Sequence, residues 1–179
     1  MHTHFRLVPT TFVLALLLGP AARAQHPAMP PGMTHEEHLR QLEKDADLKK
    51  GGATAMGFDQ NATTHHFILT AGGGRIAVTA NNPSDATSVA QIRAHLANIA
   101  TAFASGDFSA PFVTHGEVPP GVSILRELKG ITRYEYESTP NGGRVVMASA
   151  NSKALTAIHD FLRYQIREHA TGDALTVGK

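Results

Sequence analysis

Residues 64–79 read THHFILTAGGGRIAVT, two short alternating runs of apolar residues around a glycine-rich turn, and this pattern predicts a β-hairpin. A related run stands at residues 133–148, RYEYESTPNGGRVVMA. Gly73-Gly74-Arg75-Ile76 matches Gly142-Gly143-Arg144-Val145 at a shift of 69 residues. Each hairpin leads into an amphipathic helix with a similar end, Ala104-Ser105-Gly106-Asp107 against Ala170-Thr171-Gly172-Asp173, at a shift of 66. The expected fold is therefore α+β. Two ββα repeats, 64–107 and 131–173, form one four-stranded antiparallel sheet with both long helices on one face, and an N-terminal helix is added. The strand order cannot be read from the pattern.

Residues 1–24 have the layout of a signal peptide: Arg6 as positive flank, an apolar centre at 12–18 (FVLALLL), and Ala22-Arg23-Ala24 before a cleavage point at Gln25. The apolar centre is shorter than the roughly 20 residues of a membrane span. A periplasmic or secreted protein with no span after cleavage is expected. The 155 residues that follow suit a single domain. Of the 16 basic residues, Arg6 and Arg23 fall in the leader, which leaves 14 against 15 acidic ones and a formal charge of −1. Nucleic acid needs a basic face, so it is not an expected partner. The chain has no cysteine, which excludes disulfides, thiolate catalysis, iron–sulfur clusters and cysteine-rich zinc sites. A bound metal would have to be taken by His, Met, carboxylate or backbone oxygen.

Residues 25–33 (QHPAMPPGM) read as a Pro-rich flexible leader. A helix over 34–50 is predicted by the Thr34-His35-Glu36-Glu37 capping box, with Gly51-Gly52 as its stop and Leu39, Leu42, Ala46 and Lys49 as a docking stripe. Residues 51–63 then connect to the first hairpin, and 174–179 form a tail beyond the domain.

The two-residue period of the first strand puts His65, Phe67 and Leu69 on one face and His66, Ile68 and Thr70 on the other. Ile76, Val78 and Ala80 share the face of Phe67, which directs His65 towards the core and His66 outward. In the next helix, capped by Ser84 or Asp85, Val89, Ile92, Leu96, Ile99 and Phe103 follow the spacing of one buried face. His95 lies inside that stripe, and a shift of 66 matches it to Phe161. Residues 108–123 (FSAPFVTHGEVPPGVS) read as a long functional loop with His115 at its centre, followed by a short helix at 122–129.

A buried imidazole without a partner costs about 1–3 kcal/mol, so inward histidines call for hydrogen bonds, water or a metal. The expected site is a transition-metal centre, copper first and zinc second, held by His65 and His95 and completed by His115 or His66. The plainer alternative bonds His65 and His95 to each other, to Asp59 or to backbone. A weaker second set lies in the leader: His26, Met29, Met33, His35 and His38. His169, in the last turn of the final helix, is explained by the helix dipole.

Other chemistry has less support. No G-x-S-x-G elbow occurs, and Ala71-Gly72-Gly73-Gly74-Arg75 lacks the Lys and Ser/Thr of a phosphate loop. It reads as a turn. The function expected is metal handling or buffering by an exported, non-enzymatic protein. The alternatives are a metal-free interaction module that dimerises through its open sheet face or an edge strand, and an enzyme with His66 or His115 as general base.

The layout Met56-Gly57-Phe58-Asp59-Gln60, Thr64-His65-His66-Phe67, His95, His115 with Pro119-Pro120-Gly121, and Thr171-Gly172-Asp173 resembles a family of small exported bacterial proteins of uncharacterised function over about 34–173. Similar chains sometimes carry an aspartate carbamoyltransferase label. That label implies two larger α/β domains and a Ser-Thr-Arg-Thr-Arg phosphate motif, and this sequence has neither.

Overall fold

A computed structural model describes residues 29–178, so the expected signal peptide and residues 25–28 of the Pro-rich leader, His26 included, lie outside the described residues. The fold is α+β, with a four-stranded antiparallel sheet and several helices. Strands β1 (Thr63–Thr70) and β2 (Gly73–Ala80) form the first hairpin, and β3 (Arg133–Thr139) and β4 (Gly142–Ala148) the second. The sheet order is β1-β2-β4-β3, which sets the two glycine-bearing strands side by side at the centre. Helix α1 (His35–Met56) precedes the sheet, and α2 (Ala86–Ser105), α3 (Ser109–His115) and α4 (Val122–Glu127) join the hairpins. Helix α5 (Ser152–Glu168) follows β4.

Direct strand partners share a face, so the register fixes what the core side contains. Across the sheet run His65–Val78–Gly143, Phe67–Ile76–Val145–Tyr136 and Leu69–Gly74–Met147–Tyr134. His65 and Tyr134 thus occupy diagonally opposite corners of one face. Helix α2 packs chiefly on β3 and β4, and α5 on β1 and β2, so each lies over the hairpin it does not follow. Ile92, Leu96, Val145, Met147, Ile158 and Leu162 are fully buried between these layers. Each contributes about 1.5–3 kcal/mol, which holds the domain without a disulfide.

The glycine pairs differ from their expected role. The hairpin loops are only Ala71-Gly72 and Pro140-Asn141, while Gly73-Gly74 and Gly142-Gly143 are paired within strands. Close approach is the reason. A Cβ on Gly73 would stand 2.0 Å from the Met147 carbonyl oxygen, and one on Gly142 2.1 Å from that of Val78. On Gly74 it would strike Leu162 of α5 at 2.2 Å, and on Gly143 it would press Tyr136 at 2.8 Å.

Helix α1 begins as expected: Thr34 Oγ1 accepts from the Glu37 amide at 3.2 Å while the Thr34 amide donates to Glu37 Oε2 at 2.8 Å. It does not stop at Gly51-Gly52. The next residues, 53–56, contain no proline, and the stop is Gly57, whose φ of 70° ends the helix as Phe58 enters the core. The expected docking stripe is also corrected, because Leu39 and Ala46 are exposed and Leu42 is half-buried.

The expected loop at 108–123 holds α3. Asp107 Oδ1 accepts from the Ser109 amide at 2.8 Å, Pro111 sits in the first turn where its missing N–H costs nothing, and Gly116 at φ 70° closes the helix. Fully buried Phe108 anchors its start, and α3 packs against α1. The C-terminal tail also belongs to the domain. Arg163 Nε donates to the Leu175 carbonyl at 2.9 Å, and Val177 packs on the core.

Candidate metal site

Four histidines from four elements line one cavity of about 70 Å³. The alternation of β1 brings in His65, and the buried stripe of α2 brings in His95 between Ile92 and Ile99. His115 is the last residue of α3, aimed by the Gly116 stop, and His169 is the residue that ends α5. Met56, Phe67, Thr114 and Gln165 are among the other residues of the wall, and no carboxylate lines it.

The rings are close. His65 and His169 lie 6.1 Å apart, centre to centre, and nearly parallel, while His115 meets His169 edge-on at 5.1 Å. Phe58 stacks on His65 at 6.3 Å and meets His95 edge-on at 5.6 Å. His115 Nε2 bonds Gln165 Oε1 at 2.9 Å, so with Nε2 as donor the lone pair sits on Nδ1. That Nδ1, His65 Nε2 and Gln165 Nε2 are buried with no hydrogen-bond partner.

Burial, with smaller contributions from the His95 and His66 charges, pushes His65 down to about 4. Burial beside His115 and His65 pushes His169 to about 3. Burial also lowers His95. It lowers His115 too, against opposing contributions from the Gln165 bond and from Glu168 and Glu117. The cavity therefore holds uncharged imidazoles at neutral pH, the protonation state a metal ligand needs.

His65, His95 and His115 share this cavity. His66 does not. Its Nδ1 bonds Asp173 Oδ1 at 2.9 Å on the exposed side of β1, and Asp173 Oδ2 accepts from the Phe67 amide at 2.9 Å. Burial alone would raise the Asp173 carboxyl, but the Phe67 amide, Thr171 hydroxyl and His66 together hold it below the usual carboxylate range. Nor is Asp59 a histidine partner, since it caps the following turn and accepts from the Asn61 amide at 2.8 Å. In the leader set Met29 and His35 are exposed, and Met33 and His38 half-buried. His159 bonds the Thr70 and Gly73 carbonyls instead of entering the cavity.

His169 was not among the expected ligands, although a signal existed: the shift of 66 matches it to Phe103, on the buried stripe of α2. A metal–nitrogen bond of about 2.0–2.1 Å puts the centres of two imidazoles on one ion roughly 5–6 Å apart. The ring-centre spacings of 5.1 and 6.1 Å lie close to that range, but as the side chains stand no three His, Cys, Asp or Glu among the described residues form a metal-holding group, and the His65 and His169 rings are stacked nearly parallel. An enzymatic use has weaker support, since the Thr114 hydroxyl, the one hydroxyl on the wall, is engaged with the Ala110 carbonyl at 3.0 Å. No protein-family model matches the chain, and neither a curated protein nor a solved structure does. No helix among the described residues is long and apolar enough to cross a membrane.

Proposed function

We propose that this is an exported protein that binds one transition-metal ion, copper first and zinc second, and handles or buffers it in the histidine pocket. The ligands are His65, His115 and His169, with His95 as the fourth imidazole on the cavity wall. The observation that carries the reading is the orphaned pair of buried ring nitrogens, His65 Nε2 and His115 Nδ1, on two of four histidines that line one small cavity. Leaving both unpartnered costs about 1–3 kcal/mol each, and a bound ion would remove that cost. Gln165 serves as the outer partner that fixes the His115 tautomer, as metal-bound histidines usually require. A cavity of about 70 Å³ has room for an ion and small co-ligands, not for an organic cofactor.

The reading includes a duplicated ββα unit with both long helices on one face. Gly73 pairs with Ala148 and Gly142 with Thr79, the same pair under a shift of 69, which supports a two-fold relation between the hairpins. It also includes membership of the exported family that the sequence resembles, with the leader as its export signal.

Metal analysis of protein purified without a histidine tag tests the proposal. About one equivalent of copper or zinc is expected, retained after deletion of residues 25–38. No uptake by elemental analysis or calorimetry would overturn it, and loss of uptake on that deletion would move the site to the leader.

A further inference from the structure

We infer that Met56 is a ligand of this site and that its thioether makes the pocket select reduced copper, Cu(I), over zinc; the inference rests on the metal reading above. Met56 is the last residue of α1, set immediately before the left-handed Gly57, and it lines the same cavity as the four histidines. Methionine commonly fills irregular gaps in cores. Here it packs against the core and at the same time borders a gap of about 70 Å³. Met147, by contrast, is fully buried in the sheet, and Met29 is exposed.

The donor set decides the class of ion. With no carboxylate on the wall and the Thr114 hydroxyl engaged, the cavity offers imidazole nitrogen, the Gln165 amide and one thioether. Imidazole suits zinc and copper alike, whereas a thioether favours Cu(I). Zinc sites are built from thiolate, imidazole and carboxylate. Ligation by Met56 would also tie α1 to the other ligand-bearing elements, because α1 already packs on α3 and Lys44 pairs with Glu168 at 2.8 Å, next to His169.

The test combines X-ray absorption on the copper-loaded wild type with Cu(I) and Zn(II) competition titrations of wild type and Met56→Leu, a volume-conserving change. One sulfur scatterer among nitrogens is expected in the wild type. In the variant Cu(I) affinity should fall about tenfold or more, with Zn(II) affinity changed less than about twofold. A copper spectrum without sulfur, a variant that binds Cu(I) like the wild type, or equal losses for both metals overturns the role of Met56 and leaves the histidine site standing. A wild type that takes up neither metal overturns both. The wild-type spectrum decides the matter even if the variant does not fold.

Discussion

At one corner of the core face His65 meets His169 at 6.1 Å; at the diagonally opposite corner Tyr134 meets Phe103 at 5.8 Å. Under the proposed duplication these are equivalent pairs, and His95 corresponds to Phe161 in the same way. The ring-centre spacings are alike, but one pair is stacked and the other edge-on, and their chemistry differs. At the aromatic corner Phe103, Phe108, Phe161 and Tyr134 pack ring on ring, with centres 4.2–6.3 Å apart and a single polar atom, the Tyr134 hydroxyl, which is also buried without a hydrogen-bond partner. Burial pushes that hydroxyl up to about 12, so it stays neutral. At the histidine corner the same scaffold holds imidazoles whose nitrogens lack partners beside a cavity. One corner holds a single unpartnered polar atom among phenyl rings, whereas the other gathers four imidazoles around a cavity.

The comparison breaks most sharply if metal binding is indifferent to the histidine corner. His65→Ala with His169→Ala is expected to lower affinity more than about 1,000-fold, since outer-shell partners alone are worth 10–100-fold; calorimetry reads it. Acid is the next lever. Unfolded histidine titrates near about 6.5, and folded His65 and His169 at about 4 and 3. Protonation therefore favours unfolding: the stability due to these groups is fully present above about pH 6.5 and is lost as pH falls through about 4 for His65 and about 3 for His169. His65 alone accounts for roughly 3 kcal/mol, so urea midpoints of the metal-free protein should drop over that window, while a flat profile would contradict the burial of these rings.

Placing an imidazole at the aromatic corner sharpens the contrast. Tyr134→His should destabilise by about 2–3 kcal/mol in thermal melts without creating a metal site. Gln165→Leu, which releases the His115 tautomer, should weaken metal binding about tenfold with little change in melting temperature. The smallest effect runs the other way. His65→Leu removes an orphaned nitrogen and should stabilise the metal-free protein by about 1 kcal/mol while weakening metal uptake.

His65 was legible because alternation along a strand assigns faces, and His95 because helical spacing does the same. His115 was singled out, but as a loop residue. The cues to α3, Asp107 before Ser109, Pro111 in the first turn and Gly116 as stop, are present in the sequence, but a seven-residue helix is too short for its apolar period to stand out. The glycine pairs misled because a turn and a close strand contact both favour glycine, and only the Met147 and Val78 carbonyls show which applies. His169 was hidden by a sufficient local explanation, the helix dipole. Its entry into the pocket depends on α5 lying over β1, a contact between elements about 100 residues apart.

By itself the sequence determined the α+β class, the hairpins, the buried stripe of α2 and the inward face of positions 65 and 95, because all of these follow from local periodicity. Only the tertiary structure decided that α2 and α5 cross to each other's hairpins, that Met56 and His169 join the cavity, and that His66 is held outside by Asp173. Those outcomes depend on which surfaces meet across the sheet, and no local period of 2 or 3.6 residues carries that information.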